Sequence, residues 1–365
     1  MGSPLKIGII GVGKISEQYF AAFPGLPGLE LVAVADLDED RAAQIAAEQG
    51  VESLSVDALL DDPRIDAVLN LTIPAAHVDI ATRALAAGKH VYGEKPLALH
   101  PAEAVGLLET AGACGLRVGS APDTVLGTGI QTARDVLDAG LIGTPVGATA
   151  FWVSPGHEAW HPSPAFYYQP GGGPLFDMGP YYITALVTLL GPVVRVSGVV
   201  SRSERERSIA TGPLAGQTIP VAIDTHVTAV LEHASGVAST LTVSFDVWAS
   251  RIPNIEVYGT DGTISVPDPN DFSGPVSIFT STDPEWREVP PSAGYADAGR
   301  GYGLADMARA IETGRPHRAS GELAFHVLEI MDAVIRSAHE HRLVTLESTV
   351  ERPAPVPAGA SPDSW

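Results

Sequence analysis

The chain carries a single cysteine, Cys114, in 365 residues. One cysteine excludes an internal disulfide framework and fits a reducing compartment. Its setting, Ala-Gly-Ala-Cys-Gly-Leu, predicts a small buried residue at a helix end and not a nucleophile. Basic residues are also scarce, 22 Lys and Arg against 43 Asp and Glu, so the formal charge is −21. A surface this acidic repels phosphate backbones and anionic lipid, and neither nucleic acid nor membrane is an expected partner. There is no run of about 20 apolar residues to cross a bilayer, and no apolar segment behind Met1 that reads as a signal peptide. A cytoplasmic protein is expected. Internal repeats are missing too, while the length suits two domains of roughly 100–200 residues each.

The first third alternates short apolar runs with helix-like segments. Residues 5–10 lead into Gly11-Val12-Gly13-Lys14-Ile15-Ser16 and a helix to about residue 23. Gly11 and Gly13 allow a tight turn that approaches a pyrophosphate, so Gly11, Val12, Gly13, Lys14 and Ile15 are candidate cofactor residues. Ser16 stands where the full glycine pattern has its third glycine. The second strand, 29–35, ends at Asp36, a carboxylate suited to the adenosine ribose hydroxyls and hostile to a 2′-phosphate; NAD is expected in preference to NADP. A helix over 40–49, a strand over 66–71, the tripeptide Thr72-Ile73-Pro74 and a helix over 76–87 follow. The strand from Lys89 runs through His-Val-Tyr-Gly into Glu94-Lys95-Pro96-Leu97, and a helix over 101–114 and a strand over 116–120 complete the series. This alternation predicts a doubly wound parallel sheet, which binds ligands at the carboxyl ends of its strands. The glycine turn, Asp36, Thr72–Pro74 and Glu94-Lys95 all follow predicted strands, so one cofactor can touch all four. Pro96 stiffens its turn and opens the preceding bond to the cis form.

Beyond about Asp123 the pattern changes. A helix over 127–139 leads into 145–154, and strands over 193–200, 225–232, 237–246, 255–258 and 263–266 are joined in part by Ser235-Gly236 and Asp261-Gly262 turns. Helices return at 301–313 and 321–341, and 351–365, rich in Pro, Ala and Ser, reads as an irregular tail. The expected fold is α/β: a Rossmann domain over 1–123, an α+β domain with a mostly antiparallel sheet over 124–350, and the tail. In the second domain Gly171-Gly172-Gly173-Pro174-Leu175-Phe176-Asp177-Met178-Gly179-Pro180-Tyr181 is a glycine loop feeding a helix, on which Asp177 and Tyr181 share a face. A carboxylate and a phenol brought near Lys95 make a proton-transfer group, because an ammonium favours the phenolate. His157-Glu158-Ala159-Trp160-His161 matches the H-E-x-x-H zinc signature, which needs a helix. Pro155-Gly156 before it and Pro162 and Pro164 after it leave little room for a helix of several turns. No metal is expected; His157, Trp160 and His161 read instead as substrate or nicotinamide contacts.

Taken together, Gly11-Val-Gly13, Asp36, Thr72-Ile-Pro74 with His77, the Gly88–Pro96 stretch and Gly171–Tyr181 resemble the glucose–fructose oxidoreductase / inositol dehydrogenase / rhizopine catabolism family of NAD(P)-dependent oxidoreductases over nearly the whole chain. The resemblance implies that Lys95 orients the reacting hydroxyl and touches the nicotinamide ribose, that Asp177 is the family's aspartate on the following domain, and that His77 and Glu94 join the cofactor site. Inositol-dehydrogenase-like members have histidine where this chain has Tyr181, whereas glucose–fructose oxidoreductase and dihydrodiol dehydrogenase-like members have tyrosine, which makes Tyr181 the expected acid/base. Many members carry Trp-Arg upstream of the glycine run, near the place of Trp160-His161. Asp123, at the domain boundary, is placed with the substrate contacts. The implied activity is hydride transfer between NAD and a sugar, glycoside or cyclic polyol, in a homodimer or homotetramer. The alternatives are a carbonyl-sugar reductase working in reverse and a non-catalytic NAD-binding regulator.

Overall fold

The structure is a computed structural model that describes residues 3–203 and 206–362; Met1, Gly2 and residues 363–365 of the expected tail lie outside it. The chain packs as two units. The first comprises 1–128, 293–328 and 353–365, the second 129–292 and 329–352.

The first unit is built on six strands, β1 (Leu5–Ile10), β2 (Leu29–Ala35), β3 (Glu52–Ser53), β4 (Ala67–Asn70), β5 (His90–Gly93) and β6 (Val118–Ser120), with α1 (Ser16–Ala22), α2 (Glu39–Gln49), α3 (Val56–Asp61), α4 (His77–Ala86) and α5 (Pro101–Cys114) connecting them. All pairings are parallel, in the order β3-β2-β1-β4-β5-β6. Every residue of β4 is buried, as a strand covered on both faces requires. The helices start and stop on local chemistry. The Asp38 side chain accepts from the Arg41 amide at 3.1 Å to cap α2, and Ser55 accepts from Ala58 at 3.2 Å to cap α3. Strand β3 and helix α3 were not expected, since a two-residue strand and a six-residue helix leave too short a period to read. Cys114 corrects its expectation: at the last turn of α5 it is exposed.

The compact units do not follow a single cut at residue 123. The Asp123 side chain is fully buried, and its Oδ2 accepts from the amides of Gly301 and Gly303 at 2.9 and 3.0 Å, where α8 (Tyr302–Thr313) begins. Arg318 donates from Nε to the Ala354 carbonyl at 2.8 Å and from Nη2 to that of Pro355 at 3.0 Å. Among its described residues the tail has no helix or strand, yet Val356 is fully buried and its carbonyl accepts from Gly294 at 2.9 Å. These buried bonds draw 293–328 and 353–362 into the first unit.

The second unit is organised on a nine-stranded sheet. Its elements in chain order are α6 (Thr128–Asp138), β7 (Pro145–Val153), α7 (Gly173–Leu190), β8 (Val193–Ser201), the pair β9 (Arg207–Ser208) and β10 (Thr218–Ile219), then β11 (His226–His233), β12 (Ala238–Ser244), β13 (Ile255–Gly259), β14 (Gly262–Val266), β15 (Val276–Thr280) and β16 (Asp283–Val289). Helix α9 (Gly321–Glu340) and strand β17 (Val344–Thr345) follow α8. The order is β16-β15-β14-β13-β7-β12-β11-β8-β17, antiparallel except for the parallel pair β7–β12, while β9 and β10 form a separate ribbon. Helix α7 is apolar almost throughout and nearly all of it is buried. The Gly198 amide of β8 donates to Ser337 Oγ of α9 at 3.0 Å.

The first unit holds one buried ion cluster whose removal is informative. Asp306, with no side-chain exposure, pairs with Arg318, itself 1% exposed, and with Arg315 at 2.7 Å. Asp306→Ala strands the Arg318 guanidinium, so denaturant unfolding of that unit is expected to lose about 3–5 kcal/mol; a loss below about 1 kcal/mol contradicts this account of the pair.

Candidate cofactor and substrate residues

Strand order reverses between β1 and β4, and their carboxyl ends meet there. Gly11 has φ +96°, and a Cβ on it falls 2.7 Å from the Leu71 carbonyl carbon and oxygen and 2.8 Å from the Thr72 nitrogen. Only glycine fits, both in conformation and in space. Asp36, after β2, turns back on this corner: Oδ2 accepts from the Val12 amide at 2.8 Å and Oδ1 from Asp38 at 3.0 Å. Gly11, Gly13, Asp36, Thr72, Ile73 and Ile80 line one cleft of about 610 Å³. Ser16, where a third glycine was missing, is 1% exposed and donates from Oγ to the Gly13 carbonyl at 2.8 Å, so the serine supports the turn from within. Lys14 is outside this wall, paired with Glu17 at 2.6 Å and 89% exposed. Ile15 sits at the start of α1 and makes no side-chain cap. A backbone corner open to close approach, with a carboxylate beside it, fits a dinucleotide.

Pro74 follows as the first residue of a short 3₁₀ turn leading into α4. The Thr72 and Lys95 turns are stitched together. Asn70 donates to the His77 carbonyl at 3.0 Å and accepts from Thr72 Oγ1 at 2.7 Å. The His77 ring lies between the Pro96 and Thr72 carbonyls, at 2.7 and 3.0 Å. Lys95, at the end of β5, is partly exposed and precedes a cis bond to Pro96. Two cofactor expectations change character here. His77, 4% exposed, has both ring nitrogens on backbone carbonyls. Glu94, 8% exposed, accepts from Tyr19 at 2.9 Å and from the Lys95 amide at 3.1 Å. Both side chains are engaged by protein and fasten the turns that carry them.

Beneath Glu94 lies a buried polar group. Burial pushes the phenols of Tyr19 and Tyr92 upward, and the carboxylates of Glu94 and Asp123 push the same way. Burial likewise raises Asp123, opposed by Arg300, 3.8 Å away, and by the Gly303 and Gly301 amides. Asp123, expected among the substrate contacts, is here a helix cap with no exposure.

In the second unit α7 carries Asp177 and Tyr181, four residues apart and both little exposed. Residues His157–Ala159 form one 3₁₀ turn, too short to put His157 and His161 on a common face. The two halves of the zinc-like motif go separate ways. His157 Nε2 lies 2.7 Å from Asp177 Oδ2, while Glu158 accepts from Arg207 Nη1 at 2.8 Å and from the Tyr168 hydroxyl. Burial, then the bond to Glu158, raises Tyr168. His157, expected against substrate, is 6% exposed and bonded to Asp177 instead; Trp160, 59% exposed, is the open member of the turn. His161 packs on Trp160, Phe166 and Tyr167, and burial lowers it. Among the described residues no cluster of His, Cys, Asp or Glu is arranged to hold a metal.

Several supporting residues escaped the sequence reading. Asn70 had a signal, an amide at the end of the apolar run Val-Leu-Asn. Arg207, with no side-chain exposure, lies in a charged stretch that reads as solvated loop, and Arg300 has no motif around it.

Residues 5–121 match the model of an oxidoreductase family's NAD-binding Rossmann fold, and residues 130–265 match the GFO/IDH/MocA C-terminal domain. The chain is 30% identical over 330 residues to a dTDP-3,4-didehydro-2,6-dideoxy-alpha-D-glucose 3-reductase of Streptomyces antibioticus, covering 85% of this chain and 98% of that one. It is 26% identical over 359 residues to an inositol 2-dehydrogenase of Rhizobium meliloti (strain 1021), covering 94% and 99%. Among solved structures, the apo form of levoglucosan dehydrogenase superposes with a TM-score of 0.82 at 22% identity, covering 96% of this chain and 100% of that one, which shows a shared fold.

The Gly11 corner provides a test of the cleft. A methyl group there meets backbone and not a movable side chain, and a non-glycine residue at this φ costs about 1–3 kcal/mol. Gly11→Ala is expected to weaken NADH binding by about tenfold or more in a fluorescence titration. Unchanged affinity would take this corner out of the cofactor site.

Proposed function

Because the chain belongs to the Gfo/Idh/MocA family of NAD-binding oxidoreductases, we propose that it oxidises a hydroxyl-bearing carbon of a sugar, glycoside or cyclic polyol, with Lys95, Asp177 and Tyr181 acting on the substrate. The observation that carries this reading is the stitching of the Lys95 turn to the Thr72 turn through His77, since Thr72 lines the cleft that fits the dinucleotide. The backbone turn that carries Lys95 is held next to the cofactor wall, where a reacting hydroxyl needs a donor. The names of relatives, an inositol 2-dehydrogenase and a sugar-nucleotide reductase, support a polyhydroxylated ring as substrate.

NAD⁺, when bound, supplies the carbon that accepts the hydride. The Lys95 ammonium donates to the reacting hydroxyl oxygen and orients it. The Tyr181 side-chain oxygen takes the hydroxyl proton, and Asp177 accepts from a neighbouring hydroxyl to fix the ring. Run backwards, Tyr181 gives its proton to a carbonyl oxygen. The reductive direction is the second reading, favoured by 30% identity to a protein named as a 3-reductase of a keto sugar nucleotide.

The experiment is NADH formation from NAD⁺ over inositols, pyranoses, glycosides and sugar acids, with NADH consumption over keto sugars. One substrate class is expected to turn over, Lys95→Met to be silent with its fold intact, and Tyr181→Phe to lose turnover far more than NADH affinity. Undiminished activity in Lys95→Met removes it from the reaction, and tight NADH binding without turnover of any class favours a regulator.

Cofactor choice follows from Asp36, whose carboxylate stands on the wall of the cleft and repels a 2′-phosphate. NADH is expected to bind at least about tenfold more tightly than NADPH, with Asp36→Ala narrowing the gap. Tighter binding of NADPH by the unaltered chain reverses the assignment.

A further inference from the structure

The motif His157-Glu158 has no part in the chemistry above, and its geometry is specific. Trp160 Nε1 lies 3.2 Å from His157 Nδ1, and His157 Nε2 lies 2.7 Å from Asp177 Oδ2. An indole N–H can only donate, so Nδ1 must be the acceptor and bears no proton. The ring proton is then on Nε2 and is donated to the carboxylate. An imidazolium would set its Nδ1–H against the indole N–H, two donors facing each other. The tautomer is thus fixed by partners and not by choice.

The ring has little freedom to leave this arrangement. Its centroid lies 4.3 Å from that of Tyr167, 4.6 Å from Phe245, 5.2 Å from Trp160 and 6.1 Å from Trp152, and its side chain is 8% exposed. The backbone that carries it is anchored by the next residue. Glu158 is paired with Arg207, whose guanidinium also donates to the Pro155 carbonyl at 2.8 Å and pairs with Asp246. Gly156, at φ +113°, makes room for this: a Cβ there would fall 2.2 Å from Glu158 Oε2 and 2.7 Å from Arg207 Nη1. Glu158 fastens the turn and His157 reaches α7.

From this we infer that His157 is a positioning residue for Asp177: a Trp160–His157–Asp177 chain, with histidine neutral and protonated on Nε2, sets the rotation of the carboxylate that orients the substrate ring. The inference rests on the proposed role of Asp177. The neutral imidazole donates a hydrogen bond without cancelling the negative charge, so Asp177 remains an acceptor for a sugar hydroxyl. A carboxylate displaced by about 1 Å can cost on the order of 100-fold in rate.

The test uses the full chain with ¹⁵N-labelled histidine. Two-bond ¹H–¹⁵N correlations, with His157 among 11 histidines assigned by its loss in His157→Gln, are expected to show Nε2 protonated and Nδ1 bare. Trp160→Phe keeps an aromatic ring but removes the donor, and is expected to give mixed tautomers. On the substrate found above, His157→Leu is expected to lose about 10- to 100-fold in kcat/KM with NADH affinity unchanged. His157→Gln, whose amide N–H takes the place of Nε2–H, is expected to recover to within a few-fold, and it carries the kinetic test if the leucine variant does not fold. A wild-type Nδ1–H tautomer overturns the inference, as does an equal loss in the Gln and Leu variants or no loss in either. If the wild-type chain turns over nothing, the dehydrogenase reading fails by itself. Asp177→Asn then decides the pairing: a shift of the His157 Nε2–H resonance upholds it, and an unmoved resonance overturns it.

Discussion

At the reversal of strand order the backbone of β1 comes to rest on the backbone of β4, at a separation that leaves no volume for a side chain on Gly11. That contact decides what surrounds it. It opens the first turn for a dinucleotide and places Thr72 on the same wall. It also gives Asp36 an amide, that of Val12, on which to fix its carboxylate. From Thr72 the order passes through Asn70 and His77 to Pro96, so the position of Lys95 is inherited from the meeting of two strands that do not contain it.

Much of this was legible because it is periodic or local. Apolar runs alternating with helices specify a parallel sheet, and the residues that follow each run, Gly11, Asp36, Thr72 and Lys95, fall at one edge by topology alone. Asp177 and Tyr181 share a helix face because four residues make about one turn. What was illegible depends on partners distant in sequence. Asp123 looked like a ligand at a domain boundary because nothing nearby shows that Gly301 and Gly303, almost 180 residues on, present their amides to it. Arg207 drew no reading because its partners Glu158 and Asp246 belong to other elements. Cys114 was misread because small neighbours indicate burial only when the helix face is known.

The structure repeatedly uses charged side chains to fasten turns that carry the proposed site residues. Glu94 ties the Lys95 turn to Tyr19, and Glu158 ties the His157 turn to Arg207. Such groups are costly to desolvate and return the cost only when every partner is present, which makes each fastening close to all-or-none. A turn held this way keeps one geometry, and a hydride-transfer site needs that constancy more than it needs net stability.

The way the chain is threaded bears on how the protein is made. The first unit is completed by residues 293–328 and 353–362, and the second by β17 at Val344–Thr345. As synthesis proceeds, the amino-terminal sheet emerges long before the amides that satisfy Asp123, and the carbonyls of Ala354 and Pro355 that receive Arg318 come later still. A nascent chain of a few hundred residues therefore exposes apolar sheet faces and an uncapped carboxylate together, the condition in which chains call on chaperones. Neither unit is a contiguous piece of sequence, so each stays incomplete until its later segment has been made.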